Sequence, residues 1–295
     1  MNNVDTTIIQ LTSAPHIFPR QKSKTRWGTH IALIIVCFIL CIPALYAMQV
    51  ATLTIEQAFI FPPQLFPPGG DLGENIKTLF ENRGFGQLIF NTTVVAMVVV
   101  IGKTIFALLA GLAFVYYRFP GRYVLFFFVL LTLLMPTEII LIPLFQLVAD
   151  LEWIQTSPKL ALTFPFLASA TGAFLFRQHF NNIPRELAEA AQIDGANSLT
   201  FLFSVLIPMS WNVIGAQAMI QFIYMWNQYL WPSKIINDNA EQVIQVGVRQ
   251  AVNASAQTDF GLLMAAGLIA SIPPLVLFLV LQKQFMNGFA ITRDK

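Results

Sequence analysis

The chain is 295 residues long, 56% hydrophobic and only 11% charged, with a net charge of +2. A water-facing globular domain carries about 25% charged residues, so the composition excludes an ordinary soluble domain, and so small a net charge gives no grip on nucleic acid. A mean hydropathy of +0.65 agrees, and the charges fall in short clusters between long uncharged runs.

Taken in chain order, six runs are long enough to cross a bilayer as helices, which takes about 20 apolar residues. The first lies within residues 27–55 and holds no Asp, Glu, Lys or Arg. Its basic flank (Arg20, Lys22, Lys24, Arg26) would suit a signal peptide. The run is longer than the usual h-region of about 7–15 residues and ends in no small-residue cleavage site, so a retained helix is expected. Cys37 and Cys41, the only cysteines, lie in this run with no adjacent His or acid, and read as buried small apolar residues. The second run, 88–117, is interrupted only by Lys103, and the third, 123–148, only by Glu138. The fourth, 160–176, sits between Lys159 and Arg177; the fifth runs from 199 towards 226, and the sixth over about 260–282. None alternates with the period of a barrel strand. The expected fold class is therefore all-α: a polytopic membrane protein with six transmembrane helices over 29–283, flanked by tails at 1–28 and 284–295.

Positive charge sets the orientation. With the N-terminus in the cytoplasm, the inner segments hold Arg20, Lys22, Lys24, Arg26, Arg118, Arg122, Arg177, Arg185, Lys283, Arg293 and Lys295. The outer segments hold only Lys77, Arg83, Lys159, Lys234 and Arg249. Both termini are thus expected in the cytoplasm. Two outer segments are long, 54–87 and 227–259, and the first is rich in Pro and Gly, as an irregular surface loop is. Of the inner loops, 118–122 is a tight turn on Phe119-Pro120-Gly121, whereas 177–198 is long enough for structure of its own.

Residues 184–193 of that loop read as a helix. Pro184 suits the first turn, Glu186 favours the positive end, and Gly195 suits a left-handed stop. A helix of about ten residues is marginal alone, so it needs a partner. Ala188, Ala190 and Ala191 keep it slim enough for another protein surface to approach. The plainer alternative is a membrane-surface helix, but those are usually basic with a large apolar face, and this one is acidic and Ala-rich.

The residues Glu189-Ala190-Ala191, then Gly195, then Val205-Leu206-Ile207-Pro208 resemble the EAA signature of ABC importer permeases: EAA, three residues, Gly, nine residues, I-x-L-P. Val205 and Ile207 stand where Ile and Leu are usual and keep the apolar character. The resemblance, to the carbohydrate-type permeases, covers essentially the whole chain. It implies an importer permease fold whose cytoplasmic coupling helix docks in a groove of an ATPase subunit, through Glu186, Ala188, Glu189, Ala190, Ala191, Asp194 and Gly195. It also implies a second homologous permease, two ATPase copies and an extracytoplasmic substrate-binding protein, in the inner membrane. The chain has no G-x-x-x-x-G-K-[ST] phosphate loop. ATP and Mg are therefore expected on the partner ATPase, with no cofactor and no enzymatic activity here.

Within that family, Tyr117-Arg118-Phe119-Pro120, Ala168-Ser169-Ala170-Thr171, Trp226-Asn227-Gln228-Tyr229-Leu230-Trp231-Pro232 and Gly102-Lys103 are similar to the sn-glycerol-3-phosphate branch. That implies glycerol 3-phosphate or a glycerophosphodiester as substrate, with a neutral sugar, polyol or glycoside as the alternative.

Candidates for the substrate path are Lys103, Glu138, Asn227, Gln228 and Tyr229. Lys103 sits midway along its run, about 22 Å from either end at 1.5 Å per residue, too deep to snorkel. A charge there costs about 2.5–3.5 kcal/mol on insertion scales, so it needs compensation: a pair with Glu138, contact with a phosphate, or a hydrated cavity wall. Trp226, Tyr229 and Trp231 fit an interfacial aromatic belt as well as a ligand, which leaves Asn227 and Gln228 as the better polar contacts. A membrane enzyme would need convergent acids, His or metal ligands, and His16, His30 and His179 have no acids around them. A simple channel would not need the loop helix.

Overall fold

The computed structural model describes residues 27–60, 68–253 and 259–289, and every regular element among them is helical. Among the described residues the helices of nine residues or more are α1 (Trp27–Val50), α2 (Leu72–Glu81), α3 (Phe85–Tyr116), α4 (Arg122–Thr132), α5 (Thr137–Asp150), α6 (Ala170–Asn181), α7 (Arg185–Ile193), α8 (Trp211–Trp226), α9 (Ile244–Asn253) and α10 (Phe260–Phe289). Short turns fill most of the intervals. Two compact units are distinguished, Met1–Leu45 and Tyr46–Lys295.

The described part of the first unit is the N-terminal portion of α1, apolar all round and exposed at every side chain. A helix with no polar face is one that lies in lipid or against another apolar surface. Cys37 and Cys41, expected to be buried, are instead exposed and free on this helix, because nothing in the unit covers its apolar surface.

In the second unit α3 is the central element, packed by α6 and α8, with α10 against α8. At 32 residues it is about 48 Å long, longer than the hydrocarbon core requires. Its two halves belong to separate apolar clusters. One gathers Phe85, Leu88, Val95 and Val99 with Trp226, Trp231, Ile244 and Ala266; the other gathers Ala107, Leu108 and Leu112 with Phe176, Phe180, Leu206 and Val213. Membrane helices associate by close packing of small residues rather than by expelling water. Gly111 shows it: a Cβ there would lie 2.8 Å from the Phe176 Cβ and 3.0 Å from the Phe180 ring.

Two polar residues of α3 hold the segment 227–259, expected on the outer side, in place. Asn91 Nδ2 donates to the Ala240 and Gln242 carbonyls at 2.8 and 3.1 Å, and Thr92 Oγ1 accepts the Ile244 N–H at 2.8 Å. The segment 54–87 is tied through Thr52, whose hydroxyl accepts the Gly69 N–H at 2.9 Å, and Asn75, which donates to the Ala51 carbonyl at 3.0 Å. Pro62, Pro63 and Pro67 lie outside the described residues.

Among the described residues four helices are long and apolar enough to cross a membrane: Trp27–Val50, Phe85–Tyr116, Pro158–Asn181 and Phe260–Gly288. A fifth span arises if Ser198–Met209 and Trp211–Trp226, bent by 81°, count as one. The third expected run is not one helix. It divides into α4 and α5, of 11 and 14 residues, because Pro136 has no N–H to continue a helix and drives Met135 out of helical conformation.

Candidate functional site

The loop helix α7 begins one residue later than the sequence suggests, with Pro184 extended at its N-cap. Its end is a Schellman motif. The Ala196 N–H bonds the Ala191 carbonyl at 2.9 Å, the Gly195 N–H bonds the Gln192 carbonyl at 3.1 Å, and Gly195 has φ +75°. These are the 6→1 and 5→2 bonds around a left-handed residue, which glycine takes without a Cβ penalty. The Ala-Ala to Gly spacing thus has a local cause: it places the glycine where the helix must stop.

No residue of α7 is buried, yet its faces differ. Ala188 and Ala191, three apart, pack inward against the cluster of Phe180, Ile183 and Phe201. Glu186, Glu189 and Ala190 are exposed, as are Leu187 and Ile193, the last at 86%. Of the three alanines that slim the helix, Ala190 alone is exposed. Asp194 is exposed and closes the helix as its C-cap.

From α7 the chain enters α8 through a break. Asn197 caps the segment that follows, accepting the Thr200 N–H at 2.8 Å. Leu202–Leu206 is a π turn, with the Ile207 N–H reaching back to the Leu202 carbonyl. Pro208 explains it: its ring would strike the Ser204 carbonyl in a regular α-helix, and the wider turn makes room. At the bend Ser210 is fully buried, and its hydroxyl donates to the Leu206 carbonyl at 2.6 Å.

Between the two apolar clusters lies a polar seam. Lys103 is 7% exposed, its Nζ donating to Gln221 Oε1 at 2.8 Å and lying 5.1 Å from the centre of the Tyr224 ring. Gln217, one turn before Gln221, is buried, and its Nε2 has no hydrogen-bond partner. An aromatic face within about 6 Å is a favourable place for an ammonium. The partner is therefore a neutral amide on α8, which the sequence reading missed. The signal was there in two glutamines four residues apart within an otherwise apolar run. The Glu138 side chain lies outside the described residues.

At the far end of α8, Asn227 lines a cavity of about 280 Å³ with Trp226, Gln245 and Ser271. Gln245 Nε2 donates to Asn227 Oδ1 at 3.3 Å, Ser271 Oγ donates to the Leu268 carbonyl at 2.7 Å, and Trp226 Nε1 donates to the Ala270 carbonyl at 2.9 Å. The lining offers uncharged donors and acceptors beside an aromatic ring. Gln228 is half-buried and Tyr229 exposed, and neither lines this cavity. Gln245 and Ser271, from α9 and α10, carry no local motif that would single them out.

Comparison with known proteins now decides the family. Residues 103–289 match the model of the binding-protein-dependent transport system inner membrane component. The chain belongs to this family. The permease is 37% identical over 266 residues to the sn-glycerol-3-phosphate transport system permease protein UgpE of Yersinia enterocolitica, spanning 88% of this chain and 94% of that one. It is 37% identical over 271 residues to the UgpE protein of Brucella melitensis, spanning 89% and 95%. In fold it is similar to a chain of a bacterial ABC transporter that imports the acidic polysaccharide alginate, with a TM-score of 0.74, 22% identity and coverage of 91% and 99%. A structure of bacterial alginate ABC transporter in complex with an alginate pentasaccharide-bound periplasmic protein matches at a TM-score of 0.60, with 16% identity and coverage of 90% and 96%. The all-helical architecture of an ABC importer permease is thus shared, and the permease is an inner-membrane protein of multi-pass character.

Proposed function

We propose that this permease forms one half of the path by which an ATP-driven importer takes up sn-glycerol 3-phosphate or a glycerophosphodiester. The observation that carries the substrate is the 37% identity, over 88–89% of the chain, to permeases named for that transport. A neutral polyol or glycoside is the second reading, favoured by the uncharged lining of the Asn227 cavity, which suits hydroxyl groups better than a phosphate.

The partners follow from the family: a second permease, two copies of an ATPase that holds ATP and Mg, and an extracytoplasmic binding protein. This chain then binds no cofactor and is not itself an enzyme. The face of α7 bearing Glu186, Glu189, Ala190 and Ile193 docks on the ATPase, while Ala188 and Ala191 seat the helix on its own bundle. Its acidic side chains suit a basic groove. Both termini are cytoplasmic, on the side richer in Lys and Arg. The loaded binding protein meets the outer segments, ATP closes the ATPase pair, and α7 passes that motion through residues 197–210 into α8.

Reconstitution with the binding protein tests the substrate: glycerol 3-phosphate should stimulate ATP hydrolysis and accumulate inside vesicles, and maltose should do neither. Stimulation by neutral sugars alone would overturn the first reading. For docking, Ala190→Trp should leave insertion and assembly of the permease pair intact while uncoupling hydrolysis from uptake.

A further inference from the structure

Three arginines gather at one end of the bundle without a carboxylate. Arg118 and Arg122 flank the turn between α3 and α4, and Arg177 comes from α6. Arg122 is held in place, its guanidinium donating to the Tyr117 carbonyl at 3.0 Å and the Tyr123 hydroxyl at 2.8 Å. It also lies 4.8 Å from the centre of the Tyr123 ring. Two of its five N–H groups are so used, and three remain to donate. The Arg177 guanidinium lies 4.1 Å over the Phe126 ring, which is packed against Phe114 and Phe174. Arg118 is exposed. Among the described residues the ion pair present is Lys159–Glu241, on other elements. Arg118 and Arg122 line an open cleft of about 650 Å³ with Tyr123, and Arg177 stands over the Phe126 ring one turn along α4.

Depth identifies the ligand. Arg177 sits over Phe126, which follows Arg122 by one helical turn, about 6 Å along the axis of α4. The headgroup layer of each leaflet is similarly thick, about 5–7 Å by difference between the whole bilayer and its hydrocarbon core. From that turn onward α4 presents Tyr123, Val124, Phe127 and Phe128, each more than half exposed. Its 11 residues extend about 16 Å, so about 10 Å lies past that turn, within the hydrocarbon depth of one leaflet, about 15 Å. A soluble protein could reach the arginines but not that apolar face; a lipid occupies both at once. The Tyr117 hydroxyl and the Ser198 Oγ, 2.6 Å apart, place the turn on the same side as the loop that carries α7.

We propose that Arg118, Arg122 and Arg177 bind the headgroup phosphate of an anionic phospholipid in that leaflet, its acyl chains running along the exposed face of α4. Arg122 and Arg177 supply oriented guanidinium donors, which match phosphate oxygens in bidentate fashion. The uncharged turn residues Pro120 and Gly121 keep the approach open.

The test uses the assembled transporter in nanodiscs of phosphatidylcholine containing trace phosphatidylglycerol or phosphatidylcholine with a photoreactive acyl chain. Crosslinks are mapped by mass spectrometry. Each basic residue near an anionic surface is worth about fivefold in binding. The segment 123–128 should therefore be labelled preferentially by phosphatidylglycerol, and Arg118→Gln should lower that preference by about fivefold. Arg118 makes none of the contacts above, so its loss spares the fold, and unchanged basal ATPase activity of the complex verifies this. Equal labelling by both lipids, or a preference that survives Arg118→Gln with Arg122→Gln, overturns the proposal. Labelling that emerges only when the ATPase is removed assigns the arginines to that protein interface and likewise overturns it.

Discussion

Lys103 Nζ and Gln221 Oε1 lie 2.8 Å apart, joining α3 to α8 at the level where two apolar clusters meet. The contact is asymmetric, because one partner is a cation and the other a neutral amide. Gln221→Leu strands the ammonium, and Lys103→Met strands only an amide. Each leaves a buried polar group unpaired at about 1–3 kcal/mol, more for the charged one. Thermal inactivation of the purified complex should therefore rank Gln221→Leu as the more damaging change, and the double variant should recover most of the loss. A double variant as labile as Gln221→Leu contradicts this account. Its uptake is equally informative: full transport without Lys103 removes that residue from the substrate path. The same logic applies to Lys103→Met with Glu138→Gln, where recovery of assembly and uptake would assign Lys103 to an acid partner.

Gly111 sets the approach of α3 to α6. Leucine there would have to displace Phe176, whose Cβ lies 2.8 Å from the Cβ position. Overpacking costs about 1–3 kcal/mol, so Gly111→Leu should lower the yield of assembled complex and its inactivation temperature. Gly111→Ala should do so less, and an unaffected Gly111→Leu complex would show that the two helices are not packed so closely.

The stop of α7 gives a graded series. A left-handed residue at 195, φ +75°, costs roughly 1–2 kcal/mol for an ordinary L-residue. Asn tolerates that conformation better than Ala, and Val tolerates it least. Substrate-stimulated ATP hydrolysis should fall in the order Gly, Asn, Ala, Val. A flat series would mean that the end of the helix has no part in coupling.

The two outer segments give an accessibility prediction. With Cys37 and Cys41 replaced, single cysteines at Gly70 and Asn239 should react with a membrane-impermeant thiol reagent added outside intact cells. Labelling only in inverted vesicles would reverse the orientation drawn from the charge distribution.

What the sequence disclosed follows the range of the forces involved. The stop at Gly195 was legible because a left-handed cap depends on residues within one turn. Pro136 marked a kink in the third run, but not its full break, because the proline alone does not say how many residues before it leave the helix. Lys103 announced that it needed compensation, but Gln221 lies 118 positions away, and a neutral amide is a less obvious partner than Glu138. The inward turn of Ala188 and Ala191 was likewise hidden, since small size alone does not say which neighbour comes close. The cavity beside Asn227 drew Gln245 and Ser271 from two further helices, beyond reach of any local pattern.

The bend at Ser210 makes α8 a lever with its fulcrum at the end nearer α7. At 1.5 Å per residue, Gln217 lies about 9 Å along the arm and Asn227 about 24 Å. A swing of roughly 10° would then shift Gln217 by about 1.6 Å and Asn227 by about 4 Å. The smaller shift moves the unpaired Gln217 amide within the seam, and the larger is about the width of a hydroxymethyl group at the cavity. One small rotation thus delivers two different strokes, a short one where the helices are locked and a long one where a ligand would sit.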